Sequence, residues 1–142
     1  MVYPTRLREP RCLSWEGYAG MGKRVLLIED EPNIIEAISF ILSRDGFTVH
    51  THEDGETALD KVRSSPPDMI ILDVMLPGRS GFDILRDLRA NPDTEKLPVM
   101  MLTARGQSKD RDLASRLGAD HFIVKPFSNS EVRELVRSFL EP

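Results

Sequence analysis

Five short apolar runs recur along the chain: RVLLI (24–28), FTVHT (47–51), MIIL (69–72), VMML (99–102) and HFIV (121–124). Each is rich in β-branched or bulky side chains, as buried strands are. Between and after them lie five amphipathic segments with helix punctuation. The first opens on Pro32, suited to the first helical position, carries Ile35, Ile38 and Leu42, and stops at Gly46. The second is expected from about Asp54 and buries Ala58, Leu59 and Val62; the third starts near Ser80 with Phe82, Leu85 and Leu88. The fourth ends at Gly118, and the fifth opens on SNSE, where Ser128 and Glu131 have capping-box spacing, and buries Val132, Leu135, Val136 and Phe139. Five successive βα units specify a parallel sheet with helices on both faces. In the common strand order 2-1-3-4-5, the carboxyl ends of the first and third strands flank the topological switch point, where such folds bind ligands.

The chain has 142 residues, a length that favours one domain with a proper core. Its net charge is −4, and because residues 1–20 hold three arginines against two glutamates, the remainder carries −5. That balance argues against a nucleic-acid surface, which needs clustered Lys and Arg. No apolar stretch approaches the roughly 18 to 20 residues of a membrane helix. Cys12 is the single cysteine, so no intrachain disulfide or thiolate metal cluster forms, and a reducing, cytoplasmic location is expected. Residues 1–20 lack helical or strand periodicity, contain Pro4 and Pro10, and are read as a disordered tail preceding a domain at 21–142. Tyr3, Trp15 and Tyr18 lie in that tail, and Met21 offers an alternative start.

The strand ends carry the chemistry. The first strand finishes in Glu29, Asp30 and Glu31, the third in Asp73, the fourth in Thr103 and the fifth in Lys125. In the expected order Glu29, Asp30 and Asp73 converge, with Thr103 and Lys125 across the site. Two carboxylates about 5 Å apart repel by roughly 3 kcal/mol at an effective dielectric near 20, so three such pairs approach the whole stability of a small domain. Lys125 alone does not offset that; a hard divalent cation does, and Mg²⁺ suits a site of carboxylates, a backbone carbonyl and waters. A carboxylate beside such a cation is also a nucleophile toward a phosphoryl group. Mg²⁺, Lys125 and the Thr103 hydroxyl are the groups that neutralise its oxygens, while Gly78 and Gly81 let the loop after Asp73 turn tightly. Glu29, Asp30 and Glu31 also stand where acids cap a helix; their alignment with Asp73 favours a site. His50, His52 and His121 have no metal-ligand spacing and are read as non-catalytic.

The stretches VLLIEDEP, PDMIILDVMLPGRSGFDIL, VMMLTAR and GADHFIVKPF resemble, in order and spacing, the receiver domain of two-component response regulators, over about residues 22–140. The resemblance implies a flavodoxin-like three-layer sandwich and a non-enzymatic phosphoacceptor domain in a phosphorelay. Asp73 would accept phosphate from a sensor histidine kinase or a histidine phosphotransfer protein. Asp30, Asp73 and the Met75 backbone carbonyl would bind Mg²⁺, or Mn²⁺ in its place, with Glu29 acting largely through water. Lys125 would contact the phosphoryl group, the Lys125–Pro126 bond would be cis, and Met75 and Arg105 occupy positions that tune hydrolysis. Thr103 and Phe122 would be the switch pair that reshapes the face of the fourth helix, fifth strand and fifth helix for an unknown downstream protein.

Phe122 stands where many members have tyrosine, and His121 where many dimerising members have a second acid, so no dimer is assumed. Only Glu141 and Pro142 follow the fifth helix, so a single-domain regulator without direct DNA binding is expected. The alternative is a phosphorylation-independent adaptor on the same fold, against which the intact acids, Thr103 and Lys125 argue. A flavodoxin-like nucleotide binder would need a Gly/Ser/Thr-rich phosphate cradle where EDEP stands.

Overall fold

A strand buried on both faces sends alternate side chains into two different layers. In the computed structural model, which describes residues 22–104 and 108–141, this parity sorts the core. Val25, Leu27, Met69, Ile71, Met100, Leu102 and Ile123 pack on one side with Ile38, Leu42, Val132, Val136 and Leu140. Leu26, Ile28, Ile70, Leu72, Val99 and Met101 pack on the other with Ala58, Val62, Ile84, Leu85, Leu88 and Ala114. The expectations for residues 1–20 lie outside the described residues.

The elements run β1 (Arg24–Ile28), α1 (Pro32–Arg44), β2 (Thr48–His52), α2 (Ala58–Ser64), β3 (Met69–Asp73), α3 (Gly81–Ala90), β4 (Val99–Thr103), α4 (Ser108–Leu117), β5 (His121–Val124) and α5 (Asn129–Leu140). All pairings are parallel, in the order β2-β1-β3-β4-β5. Helices α1 and α5 cover one face of the sheet, α2, α3 and α4 the other. This is the flavodoxin-like three-layer architecture expected from the alternation. Among the described residues, no helix is long and apolar enough to cross a membrane.

Helix ends follow local chemistry. Pro32 starts α1, and Gly46, at φ +93°, closes it in the left-handed conformation that costs other residues strain. The Ser80 and Ser128 hydroxyls accept the Phe82 and Glu131 amides at 3.2 and 3.1 Å, capping α3 and α5.

Several boundaries differ from expectation. Helix α2 begins at Ala58, not near Asp54, because Asp54 organises a turn instead: its carboxylate accepts the Glu56 N–H and the Thr57 hydroxyl at 3.2 and 3.3 Å. Strand β2 starts at Thr48 because the Phe47 amide is used to close α1, donating to the Leu42 carbonyl at 3.1 Å. β2 is also largely exposed, and β5 only partly buried, since these are the two sheet edges. On α5 the buried residues are Val132, Val136 and Leu140, with Leu135 and Phe139 partly buried against the same layer.

Candidate functional site

Asp73 is the last residue of β3 and only 2% exposed. It shares the parity of Met69 and Ile71, whereas Thr103, closing β4, shares that of Val99 and Met101. Glu29 follows β1, its amide donating to the His52 carbonyl at 2.9 Å, so the chain leaves the sheet with its carboxylate sealed from solvent. One carboxylate oxygen from each of Glu29, Asp30 and Asp73 lies within 4.8 Å of the others, with Asp30 exposed at the rim.

Lys125, just past β5, is anchored by its own amide, which donates to the Thr103 carbonyl at 2.7 Å. Its Nζ lies 3.1 Å from Glu29 Oε1, 3.5 Å from Asp73 Oδ1 and 3.6 Å from Glu31 Oε1. The ammonium is therefore shared among three acids and lies nearest Glu29. Glu29 Oε2 accepts the amides of Asp30 and Glu31 at 3.1 and 3.0 Å, both ahead of α1, while the N-cap residue Glu31 makes no side-chain cap hydrogen bond, so these acids serve the site rather than capping the helix. Glu29 Oε1 is buried and meets the ammonium as an ion pair without an aligned hydrogen bond, leaving acceptor capacity in the cluster. Glu31, whose carboxylate reaches Lys125, is a part of this network that the sequence presents only as a helix-entry acid.

These contacts set the charge states. Burial, and then the neighbouring Glu29 charge, push the Asp73 carboxyl up to about 6, while Lys125 and the Met75 amide, 3.3 Å from Oδ1, pull it down. Burial works against the Lys125 ammonium, but Asp73, Glu29 and Glu31 outweigh it and hold its proton more tightly than usual. One cation among three acids leaves a net negative pocket whose donors are all hard oxygens. That is the donor set of Mg²⁺ or Mn²⁺.

The loop from Val74 to Ser80 projects beyond Asp73. The Val74 amide donates to the Leu102 carbonyl at 2.8 Å, and the Met75 side chain is 58% exposed. A Cβ on Gly81 would collide with the Asp73 carbonyl oxygen, which accounts for a glycine there. The Lys125–Pro126 peptide bond is cis. Phe122, half-buried in β5, packs on the α2/α3/α4 layer with the Arg111 guanidinium 5.4 Å from its ring centroid. Of the histidines, His52 shares a 2.7 Å hydrogen bond with Thr57. Arg105 lies outside the described residues.

A parallel five-stranded sheet in this order, with an acidic cluster and a lysine gathered at its carboxyl edge, defines a receiver-type α/β domain. The sequence model of the response regulator receiver domain matches residues 25–137, and the chain belongs to that family, the receivers of two-component signalling. It is similar to the phosphate regulon transcriptional regulatory protein PhoB of Escherichia coli, 39% identical over 120 residues, covering 84% of this chain and 52% of PhoB. The chain thus spans about half the length of the curated relatives it matches. In structure it is similar to a response regulator from Chloroflexus aurantiacus, with TM-score 0.80 and 31% identity over 84% of this chain and 98% of that one. It is also similar to the receiver domain of sensor histidine kinase PA1611 from Pseudomonas aeruginosa, which has a magnesium ion coordinated in its active-site cleft. There the TM-score is 0.77 and the identity 27%, over 85% of this chain and 99% of the other.

Proposed function

We propose that Asp73 is the phosphoacceptor of this receiver and that Glu29, Asp30, Asp73 and the Met75 backbone carbonyl hold Mg²⁺, with Mn²⁺ as a substitute. The observation that carries this reading is the convergence of three carboxylates within 4.8 Å beside a single ammonium. The magnesium in the PA1611 receiver domain supports it by analogy. When bound, the cation neutralises the carboxylates and the oxygens of the incoming phosphoryl group.

An Asp73 carboxylate oxygen attacks the phosphorus of a phosphohistidine on a histidine kinase or phosphotransfer protein. The P–O bond forms as the P–N bond breaks, and the imidazole leaves with the electron pair. Lys125, already at 3.5 Å from Asp73 Oδ1, and the Thr103 hydroxyl bind the phosphoryl oxygens. Slow self-hydrolysis is tuned by Met75 and Arg105. Thr103 and Phe122 relay the conversion of the Asp73 carboxylate into a phosphoryl group of charge about −1.5 to −2 to the face formed by α4, β5 and α5, where a downstream protein reads it in the cytoplasm.

Intact-mass measurement tests the assignment. With an acyl-phosphate donor and Mg²⁺, the chain should gain about 80 Da, one HPO₃, and Asp73→Asn should gain nothing. An adduct that persists in Asp73→Asn would remove Asp73 from this role, and no adduct on either protein would favour the adaptor reading.

A further inference from the structure

Two loops interlock beside the acid cluster. The Gly55 N–H, in the turn between β2 and α2, donates to the Pro77 carbonyl at 3.0 Å. A Cβ on Gly55 would lie 2.9 Å from the Arg79 amide nitrogen and 3.0 Å from the Pro77 oxygen, and would collide with the Arg79 carbonyl oxygen. The φ of Gly55 is not in the left-handed region, so its need for glycine comes from this close approach alone. From the opposite side, a Cβ on Gly78 would lie 2.7 Å from Glu56 Cγ and 2.9 Å from Asp54 Oδ1.

The Met75–Ser80 loop is thus clamped at its tip by the Gly55 turn and at its root by Gly81 on the Asp73–Val74 backbone. Arg79 adds an ion pair to Asp87 of α3. Met75 lies between the clamps, its N–H on Asp73 Oδ1. We infer that Gly55 is a positioning residue: by seating its turn against Pro77 and Arg79 it sets the Met75 backbone, and so the cation and phosphoryl geometry at Asp73. This rests on the metal assignment proposed above.

Any side chain at position 55 must separate its turn from the Pro77–Arg79 backbone, which loosens one of the two clamps on the loop that carries Met75. The test is Gly55→Ala in the full chain, with Mg²⁺ affinity measured by calorimetry and labelling by an acyl-phosphate donor followed by mass. The expected result is a folded protein whose Mg²⁺ dissociation constant rises about 10-fold, the usual consequence of disturbing groups that support a metal site, with correspondingly slower labelling. A folded variant that binds Mg²⁺ as tightly as wild type overturns the inference. A wild type that binds no Mg²⁺ overturns the metal assignment instead, so the two failures are distinct.

If Gly55→Ala does not fold, hydrogen exchange on the wild type decides. Coupling is reciprocal, so saturating Mg²⁺ should slow exchange of the Gly55 amide more than that of the Thr94 amide, which donates to the Asn91 carbonyl in the loop after α3. Equal slowing at both amides would sink the inference.

Discussion

Replacing Asp73 by asparagine should stabilise the metal-free domain. Asp73 is 2% exposed beside Glu29, which is fully buried, and its carboxyl is pushed up to about 6 from an ordinary 3.8. A rise of that size corresponds to about 3 kcal/mol of unfavourable free energy for carrying the charge in the folded state at neutral pH. The sign follows from proton linkage: because the folded value lies above the unfolded one, the favourable contribution is complete below about pH 4 and is lost as pH rises through about 6. Asparagine mimics the neutral acid, and its amide oxygen still accepts from the Met75 N–H. Urea unfolding with a chelator, followed by circular dichroism, should therefore show Asp73→Asn about 2 to 3 kcal/mol more stable than wild type near pH 7.5, with unchanged m, and about equal near pH 4. Saturating Mg²⁺ should narrow or invert the gap, since a ligand at about 100 times its dissociation constant contributes about 2.7 kcal/mol to the wild type, and the variant lacks one carboxylate of the proposed metal site. A variant no more stable than wild type at neutral pH, or a difference that survives acidification, would refute the reasoning.

Lys125→Met strips the ammonium from Glu29, Asp73 and Glu31 and leaves two buried like charges; metal-free stability at neutral pH should fall by about 3 to 5 kcal/mol, and by less in acid, as read by the same unfolding series. Ser128→Ala removes the acceptor of the Glu131 amide at the start of α5 and should cost about 1 kcal/mol of stability, read as a lower urea midpoint, without altering Mg²⁺ affinity, because the hydrogen bonds of that hydroxyl are to the Glu131 amide and Ser130.

Much of this architecture is legible in local spacing. Five apolar runs alternating with five amphipathic segments specified a parallel sheet covered on both faces, and Pro32, Ser80, Gly118 and Ser128 marked helix ends where the structure places them. Polar residues closing the first, third, fourth and fifth strands marked Glu29, Asp30, Asp73, Thr103 and Lys125. Less legible were features that depend on what the neighbour does. Asp54 looks like a helix start until its carboxylate is seen holding the Glu56 and Thr57 turn. Phe47 looks like a strand residue until its amide is seen closing α1.

From its sequence alone this chain determined a parallel βα sandwich with acids gathered at one edge, because side-chain periodicity and capping act between residues only a few positions apart. Only the folded structure decided that Lys125 lies nearer to Glu29 than to Asp73, 52 residues away, that Glu29 is sealed from water, and that Gly55 abuts the Pro77–Arg79 backbone. Those distances depend on how crossovers and strand register superpose remote segments, and differences of a few tenths of an ångström between remote side chains leave no periodic trace along the chain.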